Sequence, residues 1–209
     1  MLLAFQAGTP DINLTLIAPE LIVGFAGVLV MMVDAFASRN QRWLTGTLSI
    51  ISLIAAAVSS FWLWSASPAQ PSAFNGMIVL DELRLSFTLI FLVVALLTIL
   101  ISSVWIETEK LPAGEFHSLL LFATTGMMLM ASAGDLVIVF LGLEILSIAT
   151  YVLAGFRRTD VRSNESSLKY FILGSFASAF LLYGIALIYG ATATASLPAP
   201  QILQPSPRV

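Results

Sequence analysis

Three polar side chains recur at helical spacing inside one apolar stretch of the chain. Glu144, Ser147 and Tyr151 occupy positions i, i+3 and i+7 within residues 135–155, which are otherwise almost wholly hydrophobic. A carboxylate at the centre of a bilayer costs at least about 2.5–3.5 kcal/mol, so such a group faces the interior of a helix bundle and marks an ion or proton route. The stripe therefore predicts a proton-handling site, in which the two hydroxyls hold water and hydrogen-bond the carboxyl. The alternative is a protonated carboxyl that only links helices, a contact of about 1 kcal/mol.

Lys169 is the second charge of interest, because it lies inside the last apolar segment. Asn164 or Ser163 is expected to cap that helix, with Glu165 near its positive N-terminal end. At ~1.5 Å per residue, Lys169 is ~12 Å from Glu144 along the membrane normal. That offset argues against direct pairing and requires water or another residue between the two charges. Alternatively, Lys169 extends its ammonium group to the lipid headgroups.

The sequence offers no chemistry beyond these groups. It contains no nucleotide fingerprint, phosphate loop or nucleophile triad, and its zero cysteines exclude thiolate metal sites and disulfides. The one histidine, His117, is too little for a metal site and is expected at the membrane interface. We therefore predict no catalytic residue, no metal and no bound cofactor, and the net charge of −3 gives no basis for nucleic-acid binding.

Composition indicates an all-α integral membrane protein. Hydrophobic residues make up 58% of the chain, charged residues 10%, and the mean hydropathy is +0.97. Continuous apolar runs of about 20 residues predict membrane-spanning helices rather than the alternating strands of a barrel. About six transmembrane helices are predicted, at residues 16–36, 43–64, 85–106, 117–132, 136–156 and 167–189.

The basic residues predict how these helices are oriented. Those that follow the first, third and fifth spans are Arg39, Arg42, Lys110, Arg157, Arg158 and Arg162. The opposite loops hold only Arg84 and Arg208. Because basic loops stay in the cytoplasm, both termini are predicted on the periplasmic side of a multi-pass protein in the inner (plasma) membrane. Glu20, near one end of the first span, is expected to be solvated or hydrogen-bonded in a structural role.

Several blocks of the sequence resemble a known family. Residues 134–158, 162–174 and 182–190 are similar to subunit N of bacterial NADH:quinone oxidoreductase, respiratory complex I, and Pro19-Glu20 and Asp81 resemble its N-terminal region. Antiporter-like subunits of sodium/proton antiporters and membrane hydrogenases share the Glu144 and Lys169 regions more loosely.

The resemblance implies a membrane-arm subunit that contributes to proton translocation coupled to electron transfer from NADH to quinone. Its partners would be the other membrane-arm subunits and the lipid bilayer, and the complex as a whole, not this chain, would use quinone and NADH. In that family the glutamate matching Glu144 works with lysines on later helices, and the lysine matching Lys169 lies on the sixth helix. The family fold has about fourteen helices in an inverted-repeat arrangement, of which this chain resembles the first part.

We expect three regions: helices 1–4 in residues 1–132, helices 5–6 with the proton-path motif in residues 133–190, and a proline-rich tail unlike the family in residues 191–209. A fragmentary reading, a split subunit completed by a second chain and a true six-helix protein all remain open, and in each case the isolated chain is expected to be inactive. The functional alternatives are a non-pumping structural or assembly protein, and a subunit of a cation/proton antiporter or membrane hydrogenase.

Overall fold

The computed structural model describes residues 13–36, 42–66 and 72–197, and six helices dominate them. The helices are α1 (Ala18–Phe36), α2 (Arg42–Ala66), α3 (Glu82–Thr108), α4 (Ala113–Ser132), α5 (Leu136–Ala154) and α6 (Val161–Thr192). A short hairpin of β1 (Ser72–Ala73) and β2 (Ile78–Val79) lies between α2 and α3. The predicted all-α membrane architecture is confirmed. Arg39, Pro68, Pro71 and residues 198–209, which include most of the predicted tail, lie outside the described residues.

Five of the six described helices are long and apolar enough to cross a membrane, namely α1, α2, α3, α5 and α6. The remaining helix, α4, carries Glu115, His117 and several hydroxyl residues, and it does not meet that measure of hydropathy. It nevertheless occupies the centre of the bundle, where it packs against α1, α2, α3 and α5. Because protein rather than lipid surrounds α4, its side chains need not be uniformly apolar.

Small residues bring α4 and α5 into their close contact. A Cβ atom added to Gly126 of α4 would lie 2.5 Å from the carbonyl oxygen of Gly142 and 2.7 Å from the backbone nitrogen of Leu146. Gly142 on α5 is equally tight against the backbone of Gly126. Glycine at both positions lets the two backbones touch, as in other membrane helix pairs. Glu144 is thereby held on a helix that is fixed to the centre of the bundle.

The hairpin covers one end of the bundle, which we call the hairpin end. There the amide of Gly134, in the α4–α5 turn, donates to the Met77 carbonyl at 2.8 Å, while the amide of Leu197 donates to the Gly134 carbonyl at 2.9 Å. The amide of Leu136 donates to Ala195 at 2.9 Å. The segment after α6 is thus bonded to the turn before α5. The opposite end, with the α3–α4 and α5–α6 connections, we call the loop end.

Helices α3, α4 and α6 begin three to six residues earlier than predicted, and an aspartate cap accounts for the starts of α3 and α6. The side chain of Asp81 accepts a hydrogen bond from the amide of Arg84 and caps α3, which therefore begins at Glu82 and includes Arg84. Asp160 accepts from the amide of Arg162 and caps α6, so the predicted cap at Asn164 or Ser163 is wrong. In both cases an aspartate ahead of the apolar run satisfies free amide groups of the first turn.

Candidate functional site

Glu144 lies on α5, the helix that stands between α4 and α6. The residue is half-buried, and its Oε1 atom is fully enclosed with no hydrogen-bond partner among the described residues. A buried carboxyl oxygen without a partner is costly, so such groups commonly bind water, an ion or a proton. The structure thus leaves one oxygen of the acidic side chain of α5 enclosed, and its proton-handling role stays a prediction.

The other two members of the predicted stripe differ in their surroundings. Ser147 is half-buried on α5, and its carbonyl accepts from the Thr150 hydroxyl at 2.9 Å. Tyr151 is buried and packs edge-on against the rings of Tyr170 and Phe171 of α6, with centroids 4.8 Å and 5.8 Å away. No hydrogen bond joins Glu144 to Ser147 or Tyr151 in the described part of the chain. The stripe therefore shares one helix but forms no directly bonded network.

Tyr151 also sets how closely α6 approaches α5. A Cβ atom on Gly174 would lie 1.9 Å from the tyrosine hydroxyl oxygen, so only glycine leaves room for the ring. About two turns nearer the loop end of α6, the Ser167 hydroxyl donates to the Tyr151 carbonyl at 2.7 Å. The two contacts fix the pairing of the antiparallel helices around the candidate site.

Lys169 lies on the outer side of α6. Its ammonium group pairs with the carboxylate of Glu165, one turn away, and its side chain is 73% exposed. Lys169 follows Ser167 by two residues, whereas Glu144 precedes Tyr151 by seven, so the backbone positions of Glu144 and Lys169 are ~8 Å apart along the helix axes. The structure therefore does not bring Lys169 to Glu144, and any proton passing between them needs water or another side chain.

A buried ion pair at the hairpin end was not predicted from the sequence. The Arg84 Nη2 atom lies 2.8 Å from Glu20 Oε1, and these side chains are only 1% and 3% exposed. The guanidinium also donates to the carbonyls of Val79, at 3.0 Å, and Leu16, at 2.6 Å. Arg84 was assigned to a loop, and that assignment is wrong because the Asp81 cap draws it into α3. Asp81, a capping residue four positions before the apolar run, was the signal that could have placed Arg84 inside α3.

His117 is also more buried than expected. It is 5% exposed, and neither ring nitrogen has a hydrogen-bond partner in the part of the chain that the structure describes. The carboxylate of Asp34 lies against Gly114, one turn before it on α4, and a Cβ atom at Gly114 would lie 2.3 Å from Asp34 Oδ1. This burial comes from α1 and α2, which enclose the loop end of α4, and the expected position at the level of the membrane interface stays a prediction.

The basic side chains of the α5–α6 connection, which helped to predict the orientation, lie at the loop end. Arg157 pairs with Glu109 at 3.0 Å, and Arg158 pairs with Glu115. Both pairs are largely exposed and join the α5–α6 connection to the ends of α3 and α4. Among the described residues, no group of three or more His, Cys, Asp or Glu side chains could hold a metal ion.

The fold and this arrangement of charges define a multi-span helical membrane protein of the antiporter-like class. Residues 133–203 match the family described as "NADH:quinone oxidoreductase/Mrp antiporter, TM", a match that begins ahead of α5 and extends past α6. In fold, the chain is similar to a chain of "Respiratory complex I from Thermus thermophilus with bound Aureothin". That likeness has a TM-score of 0.71 at 32% identity and covers 87% of this chain and 39% of the other.

The relatives in sequence point to one subunit. The chain is 43% identical over 183 residues to NADH-quinone oxidoreductase subunit N of Trichlorobacter lovleyi, a match that covers 88% of this chain and 37% of the relative. It is 42% identical over 180 residues to subunit N 1 of Solibacter usitatus, covering 86% and 36% respectively. The resemblance seen in the sequence is confirmed. The chain spans little more than a third of the length of these curated relatives.

The same helical arrangement occurs in a second respiratory assembly. A chain of the membrane-bound sulfane sulfur reductase, described as an archaeal respiratory membrane complex, is similar with a TM-score of 0.71 at 26% identity. The match covers 87% of this chain and 37% of that one. The six-helix arrangement therefore occurs in respiratory assemblies of different names.

Proposed function

We propose that this chain is part of a membrane-arm subunit of an NADH-quinone oxidoreductase and contributes to proton translocation coupled to electron transfer from NADH to quinone. The observation that carries the proposal is the enclosed, unpartnered Oε1 of Glu144 on an apolar helix of a chain about 40% identical to subunit N of such enzymes. The electron-transfer chemistry, including the use of NADH and quinone, belongs to other subunits. The chain resides with its membrane-arm partners in the inner membrane, with both termini on the periplasmic side.

In this proposal Glu144 is the proton carrier. One oxygen of its carboxyl is enclosed, and taking up a proton there removes a charge that hydrocarbon and protein solvate poorly. Ser147, one turn away on α5, supplies a hydroxyl that can hold the water through which a proton reaches Glu144. Tyr151 continues this line toward the loop end and anchors α6 beside it.

Lys169 has a different role in this proposal, because it faces outward and is ~8 Å from Glu144 along the axes. An ammonium group on the outer face of an apolar helix needs a polar neighbour, and Glu165 provides one. Shifting Lys169 away from Glu165 would change the potential felt by charges inside the bundle. Lys169 therefore serves as the movable charge that couples α6 to further helices of the membrane arm.

The test is a Glu144→Gln exchange in the assembled complex, measured in inverted membrane vesicles. Glutamine keeps the size and the hydrogen bonds but cannot release a proton, so the number of protons moved per NADH oxidised should fall while quinone reduction in uncoupled vesicles continues. Glu107→Gln, at the exposed end of α3, is the matched control and should leave the ratio unchanged. An unchanged ratio in Glu144→Gln would overturn the proton-carrier role.

The structural alternative and the antiporter alternative give different results in the same vesicles. If Glu144 only links helices, Glu144→Gln retains pumping while Glu144→Leu lowers assembly of the complex. If the chain belongs to a cation/proton antiporter, ΔpH-driven sodium exchange persists without NADH and quinone.

A further inference from the structure

The hairpin end contains a second enclosed group of polar atoms that the proposed proton route does not use. Around the Glu20–Arg84 ion pair, three atoms are buried without a hydrogen-bond partner among the described residues: Glu20 Oε2, Arg84 Nε and Thr88 Oγ1. The side chains of Glu20 and Arg84 are joined at 2.8 Å, and Thr88 is one turn after Arg84 on the same face of α3. The ion pair thus bridges α1 and α3, and Thr88 is the buried side chain that follows Arg84 on that face of α3.

Thr88 differs from the other buried hydroxyl residues of the bundle. The side chains of Ser49, Ser60, Ser118, Thr124 and Thr125 each donate to the carbonyl four residues earlier in their own helix. This bond is the usual way for a helix to satisfy a buried serine or threonine. Thr88 is only 1% exposed and makes no such bond to the carbonyl of Arg84. Its hydroxyl is thus left for a ligand in the region of the ion pair.

The free atoms have complementary hydrogen-bonding capacities. Arg84 Nε carries one N–H donor, Glu20 Oε2 is an acceptor, and the Thr88 hydroxyl can act as either. A metal cation is disfavoured by the adjacent guanidinium, and a further anion by the carboxylate of Glu20. Water meets the requirement, because it accepts from Nε and donates to Oε2 while bonding the hydroxyl, and buried waters typically make two to four such bonds.

We propose that Glu20, Arg84 and Thr88 form a binding site for ordered water beneath the hairpin. The water completes the hydrogen bonds of a charged pair that would otherwise keep unsatisfied atoms in the interior, a condition under which a buried ion pair is destabilising. The site also links the hairpin to α1, because the guanidinium that binds the water holds the carbonyls of Val79 and Leu16. The inference is independent of the proton role of Glu144.

The test is a crystal structure of the full chain grown from a lipidic mesophase, at a resolution that shows other buried waters in the bundle. We expect density for at least one water within hydrogen-bond distance of Arg84 Nε, Glu20 Oε2 and Thr88 Oγ1. In Thr88→Val, which has the same shape but lacks the hydroxyl, that density should weaken or shift while the ion pair stays in place.

The control is Thr98→Val, since Thr98 lies further along α3 and donates to the Val94 carbonyl. This substitution should leave the density at the hairpin end unchanged. Direct bonds between Thr88 and the ion pair, with no density between them in the unaltered chain, would overturn the proposal. So would water density that is identical in Thr88→Val.

Discussion

Helices α4 and α6 show opposite relations between hydropathy and enclosure. The helix α4 falls short of the hydropathy of a membrane span, yet half of its residues, from Gly114 to Ser132, are buried. The helix α6 is longer and apolar enough to span, but only Ile185 is buried within the described chain. Hydropathy here reports which surface can face lipid, whereas burial depends on how many helices surround the segment. A polar central helix and an apolar outer helix are both stable for that reason.

The polar residues of α4 are tolerated because most of them satisfy themselves locally. The hydroxyls of Ser118, Thr124 and Thr125 donate to carbonyls of their own helix, so they can enter the interior without partners on other helices. On α6, by contrast, Lys169 and Glu165 satisfy each other on an open face. Small substitutions in the enclosed part of the bundle should therefore lower the free energy of unfolding more than comparable substitutions on α6.

The largest expected difference in the free energy of unfolding is between variants of two ion pairs, Glu20–Arg84 and Glu165–Lys169. Arg84→Met removes one partner of a pair that is almost fully buried, and should lower the free energy of unfolding by about 3–5 kcal/mol. Lys169→Met removes one partner of an exposed pair, and should change the free energy of unfolding by about 0–1 kcal/mol. Thermal unfolding of the full chain in detergent, followed by circular dichroism, measures both. Equal losses would show that burial does not determine the strength of these pairs.

A smaller difference in the free energy of unfolding is expected between alanine variants of two glycines. Gly126→Ala forces a methyl group against the backbone of α5, at 2.5 Å from the Gly142 carbonyl, and should cost about 1–3 kcal/mol. Gly184→Ala on α6 meets nothing within 4 Å and should be neutral or stabilise the helix by up to about 1 kcal/mol. The same unfolding measurement applies, with protease resistance of the chain in lipid nanodiscs as a second readout. A stable Gly126→Ala protein would mean that α4 and α5 are further apart than the structure has them.

The smallest expected difference concerns the caps of α5 and α6. Asp135 accepts from the amide of Val137 at 2.8 Å and is buried, whereas Asp160 accepts from Arg162 at 3.0 Å and is partly exposed. Replacing a capping aspartate with alanine typically costs about 1 kcal/mol. The loss of stability in Asp135→Ala should exceed about 1 kcal/mol, because the Val137 amide is then left without a partner in an enclosed turn. The loss in Asp160→Ala should be below about 1 kcal/mol, because water can replace the cap. Amide hydrogen exchange at Val137 and Arg162 distinguishes the two, and the reverse order would contradict the comparison.

Much of the fold followed from the sequence, because apolar runs of about 20 residues can only be buried in lipid or in a helical core. The runs located all six helices, and Glu144 stood out as the acidic residue within α5. The starts of α3, α4 and α6 were predicted three to six residues too late. For α3 and α6 the reason is that Asp81 and Asp160 act through hydrogen bonds to amides, which hydropathy does not register. The roles of Glu144, Ser147, Tyr151 and Lys169 remain predictions for the experiments above.

The sequence by itself determined that this chain is a bundle of membrane helices with a carboxylate near the middle of the fifth apolar segment, since both features depend on local composition and the cost of charge in hydrocarbon. Only the tertiary structure decided which charges meet. It buried Glu20 against Arg84, residues 64 positions apart, and turned Lys169 outward to Glu165. The physical reason is that ion pairing and burial depend on the direction of each side chain around its helix and on the neighbouring helices, which the order of residues alone does not specify.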